Sequence, residues 1–233
     1  MILELGIYQE VELLSSEVHK NVRVREVRSA DYAKNVTDSL ITVDEFYAAA
    51  RSQPIVFAKG EDGQVFAAVV LGLGRKSSWF VGADDMWKAG EYMPAFLRRY
   101  PFVFVKDKET NYLAIDKVSP AFNEEEGEAL FTSDGFPSKY TKRVLSFMQA
   151  FEAAHAKTQA FCAELDRLKL LETITINKWV GFQAPMLKNI KRVNESRLDK
   201  LPMNELQQLV EKGYYKLIVA HLISLGNIDR ISK

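Results

Sequence analysis

The chain has 233 residues, of which 47% are hydrophobic, and its 31 basic side chains balance its 31 acidic ones. A chain of this length and composition is expected to fold as one domain with a sizeable core, spanning residues 1–233. The even charge excludes a protein that holds nucleic acid through a basic surplus, so we expect no nucleic-acid partner.

The cysteine count and the N-terminal residues constrain the cellular location. The single cysteine, Cys162, excludes an intramolecular disulfide and a zinc site made of cysteines. Glu4 and Glu10 interrupt the N-terminal apolar residues and no basic residue precedes them, so no secretory signal is expected. The most apolar stretch, residues 217–225, is too short to cross a bilayer. We therefore expect a cytoplasmic protein without a membrane span, with surface association through signal-independent export as the alternative.

The first helix signal lies at residues 42–45, which read Thr-Val-Asp-Glu. This spacing is a capping box, in which the Thr42 and Glu45 side chains satisfy backbone N–H groups that a helix start leaves open. It predicts a short helix that ends before Pro54, because the position before a proline disfavours helical geometry.

Four short apolar runs in the centre of the chain predict two β-hairpins. Residues 54–58 and 65–73 flank a glycine-containing turn, and residues 102–105 and 112–116 flank a polar turn. A further apolar run at residues 79–81 predicts another short strand. Because the run 65–73 is uninterrupted, we expect both faces of that strand to be buried.

A long amphipathic helix is predicted to begin after Ser138, a residue type that caps helix N-termini. Its apolar and small residues alternate in steps of three and four, which places them on one stripe. The stripe is expected to pack on the sheet, on a partner helix in a homodimer, or partly on both. It consists of Val144, Phe147, Phe151, Ala154, Thr158, Phe161, Leu165 and Leu168.

The last third of the chain predicts strands at residues 171–176 and 182–190, followed by two helical segments. Pro202 suits the first turn of the first segment, and Gly213 and Gly226 are expected to end the two segments. Together, the elements predict an α+β fold: a mostly antiparallel sheet of hairpins packed by one long helix, with a helical C-terminal end.

A specific block of sequence lies at residues 92–102, which read Tyr-Met-Pro-Ala-Phe-Leu-Arg-Arg-Tyr-Pro-Phe. This block resembles the signature of the SapC family. The strand at residues 54–57, Trp87, an early histidine at His19 and the tail at residues 213–225 are similar to that family as well. The chain departs from the expected pattern just before Trp87, where a glycine-containing turn is replaced by two aspartates and a methionine.

The resemblance implies a bacterial protein from a family named for a protein encoded alongside a surface-layer gene. Some members are encoded beside flavin-dependent tryptophan-halogenase-like and cupin-like proteins, which implies an accessory role beside such an enzyme. The resemblance supplies no catalytic residues and implies no cofactor.

Two consecutive arginines within a group of aromatic residues form the candidate ligand- or partner-binding site. Arginine offers a planar fork for carboxylates and phosphates and stacks on aromatic rings, so these residues fit a protein, a peptide or a small anionic ligand. The alternative is that the aromatics are core residues and the arginines satisfy nearby carbonyls and carboxylates. The candidates are Trp79, Trp87, Tyr92, Arg98, Arg99 and Tyr100.

No catalytic or metal-binding motif is recognisable in the sequence. The three histidines are far apart, Cys162 lies mid-helix without a nearby base, and Ser224 follows His221 by three residues without an evident orienting acid. We therefore expect a non-catalytic binding or accessory protein without a metal or cofactor. A surface-layer structural role and an enzyme of unrecognised type are the alternatives.

Overall fold

The computed structural model describes residues 6–73, 78–108, 110–177 and 186–231. Its largest sheet has five antiparallel strands in the order β10-β11-β4-β5-β3. The strands span Asp38–Leu40 (β3), Ile55–Lys59 (β4), Val65–Val70 (β5), Leu171–Asn177 (β10) and Met186–Val193 (β11). Residues 182–185 of the predicted strand 182–190 lie outside the described residues.

The two predicted hairpins are confirmed. In the first, Lys59 pairs with Val65, and Gly63 takes a φ of 80° in the intervening turn, a conformation that glycine adopts without a steric cost. In the second, Phe102–Asp107 (β6) pairs with Thr110–Asp116 (β7). The nearly continuous burial of β5 also agrees with its uninterrupted apolar sequence.

Two smaller sheets complete the strand content. The order β1-β7-β6 adds Val11–Leu13 (β1) to the second hairpin. A sheet of two-residue strands has the order β8-β2-β9, with Arg23–Val24 (β2) between Phe122–Asn123 (β8) and Glu128–Ala129 (β9). All of these pairings are antiparallel, as the α+β prediction requires.

The predicted strand at residues 79–81 is wrong. Trp79 and Phe80 lie in a turn, and Val81 makes only an isolated bridge with Trp87. Asp85, in the loop where the sequence lacks the expected glycine, takes a φ of 58°. Aspartate tolerates this left-handed region better than most residues, so the loop turns without glycine. Three apolar residues thus pack into the core from a loop rather than from a strand.

The helices span Phe46–Ala49 (α1), Ala95–Arg98 (α2), Lys139–Arg167 (α3), Glu195–Leu198 (α4), Met203–Glu211 (α5) and Tyr214–Ser224 (α6). Short 3₁₀ helices lie at Asp31–Ala33, Val43–Glu45 and Leu225–Asp229. Gly213 separates α5 from α6 with a φ of 72°, as its predicted role as a helix terminator requires. None of the helices in the described ranges is long and apolar enough to span a membrane.

The long helix α3 packs against β5 and joins two hydrophobic clusters. The Ser138 hydroxyl caps it by accepting a hydrogen bond from the Thr141 N–H at 3.2 Å. Tyr140 and Val144 near its start pack on the smaller cluster, and the C-terminal half packs on the larger one. All eight residues of the predicted stripe are buried or half-buried by this chain itself. The homodimer through this helix stays a prediction.

Candidate functional site

The signature residues 92–102 include the short helix α2, which lies between a buried carboxylate and a surface groove. Ala95, Phe96 and Leu97 are buried in the larger hydrophobic cluster, which anchors the helix. Successive residues of a helix point about 100° apart, so the two arginines that follow these apolar residues face different surroundings.

Arg98 is exposed and is held in one orientation by its neighbours. Its Nε donates to the Met93 carbonyl at 3.0 Å, and its Nη2 donates to the Tyr92 hydroxyl at 3.1 Å. The guanidinium also lies 5.6 Å from the ring centroids of Tyr92 and Phe147. Within the described part of the chain, no carboxylate pairs with Arg98, and its Nη1 has no acceptor. The side chain is therefore positioned but still able to bind an anion.

Arg98 lies on one wall of a surface groove made of two adjoining cavities, which we call the tyrosine groove. The first, the Arg98 cavity, has a volume of about 390 Å³ and is also lined by Met93 and Phe147. The second, the Ser119 cavity, has a volume of about 550 Å³. The two cavities adjoin, because they have five lining residues in common: Val27, Arg28, Ser29, Tyr32 and Tyr100.

Stacked tyrosine rings form part of the groove lining. The rings of Tyr32 and Tyr100 lie 4.1 Å apart at an interplanar angle of 15°. Tyr32 donates to the Leu97 carbonyl at 3.0 Å, and Tyr100 donates to the buried Asp116 carboxylate at 3.3 Å. Burial raises the pKa of both hydroxyls, so they remain protonated donors near neutral pH. Hydrogen bonds at the ring edges thus fix a flat aromatic surface.

Beneath the signature segment lies Glu45, a carboxylate that is 6% exposed. Its Oε2 accepts from the Thr42 N–H at 2.9 Å and the Thr42 hydroxyl at 2.7 Å, so the predicted capping box is present. Its Oε1 accepts from the Tyr92 hydroxyl at 2.8 Å and the Ala95 N–H at 2.7 Å. Burial, with Glu45 adding to the effect, raises the pKa of Tyr92 to about 12. Four hydrogen bonds satisfy this buried charge and join the start of α2 to the capping box.

Arg99, the second arginine of the candidate site, does not line the groove and is 5% exposed, so its guanidinium is not presented to a ligand there. Its guanidinium lies 4.1 Å from the Phe96 ring centroid and 5.5 Å from that of Phe151. Its Nε and Nη2 have no hydrogen-bond acceptor within the described residues. Burial raises the pKa of Tyr8 to about 12 against the opposing effect of the nearby Arg99. Aromatic rings, rather than a carboxylate, surround this cation.

The two tryptophans of the candidate site lie away from the tyrosine groove. Trp79 is half-buried, with the Lys88 ammonium 3.7 Å from its ring centroid. Trp87 stacks on Phe80 at 5.5 Å and donates from Nε1 to the Glu91 carbonyl at 3.2 Å. Neither side chain lines the two cavities of the groove. Of the six candidates, Arg98 and Tyr100 line the groove, and Tyr92 does not line it but contacts Arg98 through its hydroxyl.

His221 and Ser224, which the sequence places three residues apart, are hydrogen-bonded to buried backbone groups. The buried His221 accepts from the Val193 N–H at Nε2, 3.1 Å away, and donates from Nδ1 to the Ile55 carbonyl at 2.9 Å. Ser224 donates to the His221 carbonyl at 2.6 Å and accepts from the Ile55 N–H at 2.9 Å. Burial raises the pKa of the Cys162 thiol to about 12. The side chains described contain no group of three potential metal-ligating residues.

Arg28, Tyr32 and Asp116 belong to the groove or its support but are absent from the sequence-based candidates. No motif or periodicity relates them to Arg98 or Tyr100, because only the packing of distant segments brings them together. The capping box that includes Glu45 was a sequence signal close to this site. It predicted a helix start, but not the contacts of the Glu45 carboxylate with Tyr92 and Ala95.

Comparison with known proteins agrees with the signature at residues 92–102. No curated protein and no solved structure matches this chain. The model of one protein family, SapC, matches residues 14–231 and so spans the groove, the long helix and the C-terminal helices. The chain belongs to the SapC family.

Proposed function

We propose that this protein is a non-catalytic binding or accessory protein that recognises an anionic group through the tyrosine groove. The observation that carries the proposal is Arg98, an exposed guanidinium that Met93 and Tyr92 hold in place without a carboxylate partner in the described residues. A positioned arginine loses little side-chain freedom on binding, and its planar fork fits a carboxylate or a phosphate.

The surroundings of Arg98 support an anionic ligand. Arg28 also lines the Arg98 cavity, and none of the described residues that line this cavity is acidic. Arg28 pairs with Glu26 at 3.0 Å, but both side chains are more than 70% exposed, so this pair is weak and can open for a ligand. The stacked tyrosines add apolar area beside the charged groups.

The accessory part of the proposal rests on the family resemblance. The partner it implies is a protein such as a flavin-dependent halogenase-like enzyme encoded nearby, with an acidic segment as the recognised group. A surface-layer role and an enzymatic activity of its own stay predictions, as does the cytoplasmic location.

The test measures binding of two named probes by NMR titration of the purified protein at low salt: sodium citrate, and a blocked octapeptide with two terminal aspartates. We expect at least one probe to shift the Arg98 and Tyr100 resonances. The double variant Arg98→Gln plus Arg28→Gln is expected to weaken that binding at least tenfold, because each charge-assisted hydrogen bond contributes about 1.5–3 kcal/mol.

A matched control removes two exposed charges elsewhere, in Arg143→Gln plus Lys157→Gln on α3. This variant is expected to bind like the wild type. The amount of the enzyme encoded nearby that co-purifies with the protein should fall in the Arg98→Gln plus Arg28→Gln variant and stay unchanged in the control variant. Binding of neither probe, or equal binding by the two double variants, would overturn the proposal.

A further inference from the structure

The chain segment between Arg25 and Ala30 contains three consecutive N–H groups without acceptors among the described residues, before Ser29 forms an isolated bridge with Met86. The Arg25 N–H donates to the Ala121 carbonyl at 3.0 Å, and the Ala30 N–H donates to the Asp85 carbonyl at 2.7 Å. Between them, the N–H groups of residues 26–28 have no backbone or side-chain acceptor in the described part of the chain. Strand β2, directly before this segment, is paired on both sides. Pairing thus stops for three residues.

This unpaired segment is a wall of the tyrosine groove. Val27 and Arg28 line both of its cavities, and Glu26 lines the Ser119 cavity. Glu26 and Arg28 are exposed residues and Val27 is half-buried, so the segment lies at the protein surface. Unpaired backbone groups beside an open groove are the feature that extended peptides use when they add to the edge of a sheet.

The shape of the groove also favours a chain-like ligand. Its two cavities of about 390 and 550 Å³ lie next to each other, since five residues line both of them. A small anion held by Arg98 would contact the first cavity and leave the Ser119 cavity unfilled. A ligand several residues long would contact both cavities and the unpaired backbone between them.

Charge is distributed unevenly along the groove. Arg28 and Arg98 line the Arg98 cavity without an acidic residue among the described lining. The Ser119 cavity adds three acidic residues, Glu26, Asp31 and Glu126, against one further arginine, Arg25. A uniformly acidic ligand would be repelled at this second end, whereas a segment with carboxylates at one end fits both.

We infer that the groove binds an extended polypeptide segment of another protein, with its carboxylates at Arg98 and Arg28 and its backbone hydrogen-bonded to residues 26–28. The inference rests on the proposed function and narrows its ligand to a peptide. Backbone hydrogen bonds supply affinity regardless of side chains, and the two arginines set which end of the segment lies in the Arg98 cavity.

The test compares sodium citrate with blocked octapeptides of alternating threonine and valine that carry two aspartates at one end or the other. One orientation is expected to bind at least tenfold more tightly than citrate and to shift the amide resonances of residues 26–28. The same peptide with backbone ester links in place of amides keeps its charge, but ester carbonyls are weaker acceptors for the N–H groups of residues 26–28, so it should bind at least tenfold more weakly.

The outcomes separate this inference from the proposed function. If citrate binds as tightly as the better of the two peptides, or if replacing the backbone amides by esters changes nothing, the groove is a small-anion or side-chain site and the peptide inference is wrong, while the proposed function stands. If neither citrate nor peptide shows binding that depends on Arg98 and Arg28, both fail. A preferred peptide orientation without shifts at residues 26–28 also contradicts backbone pairing.

Discussion

The two consecutive arginines of the signature segment lie in opposite surroundings, one on the groove side and one on the buried side. On the groove side, Arg98 is exposed, is held by two hydrogen bonds and has no carboxylate partner in the described chain. On the buried side, Arg99 is 5% exposed among aromatic rings. Exposure lets Arg98 exchange water for a ligand at low cost, whereas Arg99 gave up its hydration when the chain folded.

The buried side contains a second contrast, between Arg99 and Glu45. Glu45 accepts four hydrogen bonds, whereas two of the nitrogens of Arg99 have no acceptor in the described residues. A buried charge is tolerated best when hydrogen bonds replace its hydration. We therefore expect Glu45 to stabilise the signature segment and Arg99 to add little stability of its own. The predictions below test this difference.

The largest effect is expected from Glu45→Ala. The substitution leaves the Thr42 and Ala95 N–H groups and the Tyr92 hydroxyl without their acceptor, so the free energy of unfolding should fall by about 3–5 kcal/mol. Urea unfolding at neutral pH measures this change. Asp44→Ala is the matched control, because Asp44 is exposed and its one ion pair with a described residue is to Lys157, at 3.7 Å, so a change below about 0.5 kcal/mol is expected. Equal losses in both variants would contradict the role of Glu45.

A second, smaller effect concerns pH and the hydrogen-bonded His221 on α6. Burial lowers the pKa of His221 from 6.5 to about 4, so the unfolded chain binds a proton more readily between these values. The contribution of His221 to stability is complete above pH 6.5 and is lost as the pH falls towards 4. From pH 7 to pH 5 the free energy of unfolding should drop by about 2 kcal/mol through this group.

The measurement compares urea unfolding of the wild type and His221→Gln across that pH range. The variant is expected to be less stable at pH 7 and to lack this part of the pH dependence. If the free energy of unfolding had the same pH dependence in the two proteins, His221 would titrate normally. That result would contradict a buried neutral imidazole with both nitrogens hydrogen-bonded.

The smallest effect is expected from Arg99→Met, which keeps a long apolar side chain and removes the unpaired charge. Loss of the cation–π contacts costs up to about 2 kcal/mol, and removal of the buried charge relieves a desolvation cost of several kcal/mol. The free energy of unfolding should therefore rise by about 1 kcal/mol, measured by urea unfolding. Arg98→Met, the exposed neighbour, should change it by less than about 0.5 kcal/mol. A loss above 1 kcal/mol in Arg99→Met would mean that the aromatic contacts outweigh the desolvation cost.

Elements with a strong local pattern could be predicted from the sequence. Alternating turn and apolar segments predicted both hairpins, and steps of three and four predicted α3 with its buried stripe. The strand predicted at residues 79–81 was wrong, because three apolar residues fill the core equally well from a turn. Of the candidate site, Arg98 and Tyr100 line the groove and Tyr92 contacts Arg98, and these three residues come from a single contiguous block.

The sequence by itself determined the family, the α+β class and the position of the long helix, because these depend on local patterns that the chain carries at every stage of folding. Only the tertiary structure decided which arginine faces solvent, that Arg28 and Tyr32 line one cavity with Tyr100, and that the N–H groups of residues 26–28 have no acceptor in the described chain. These features depend on how distant segments pack. Two neighbouring residues of the same type carry no sign of which one will lose its contact with water.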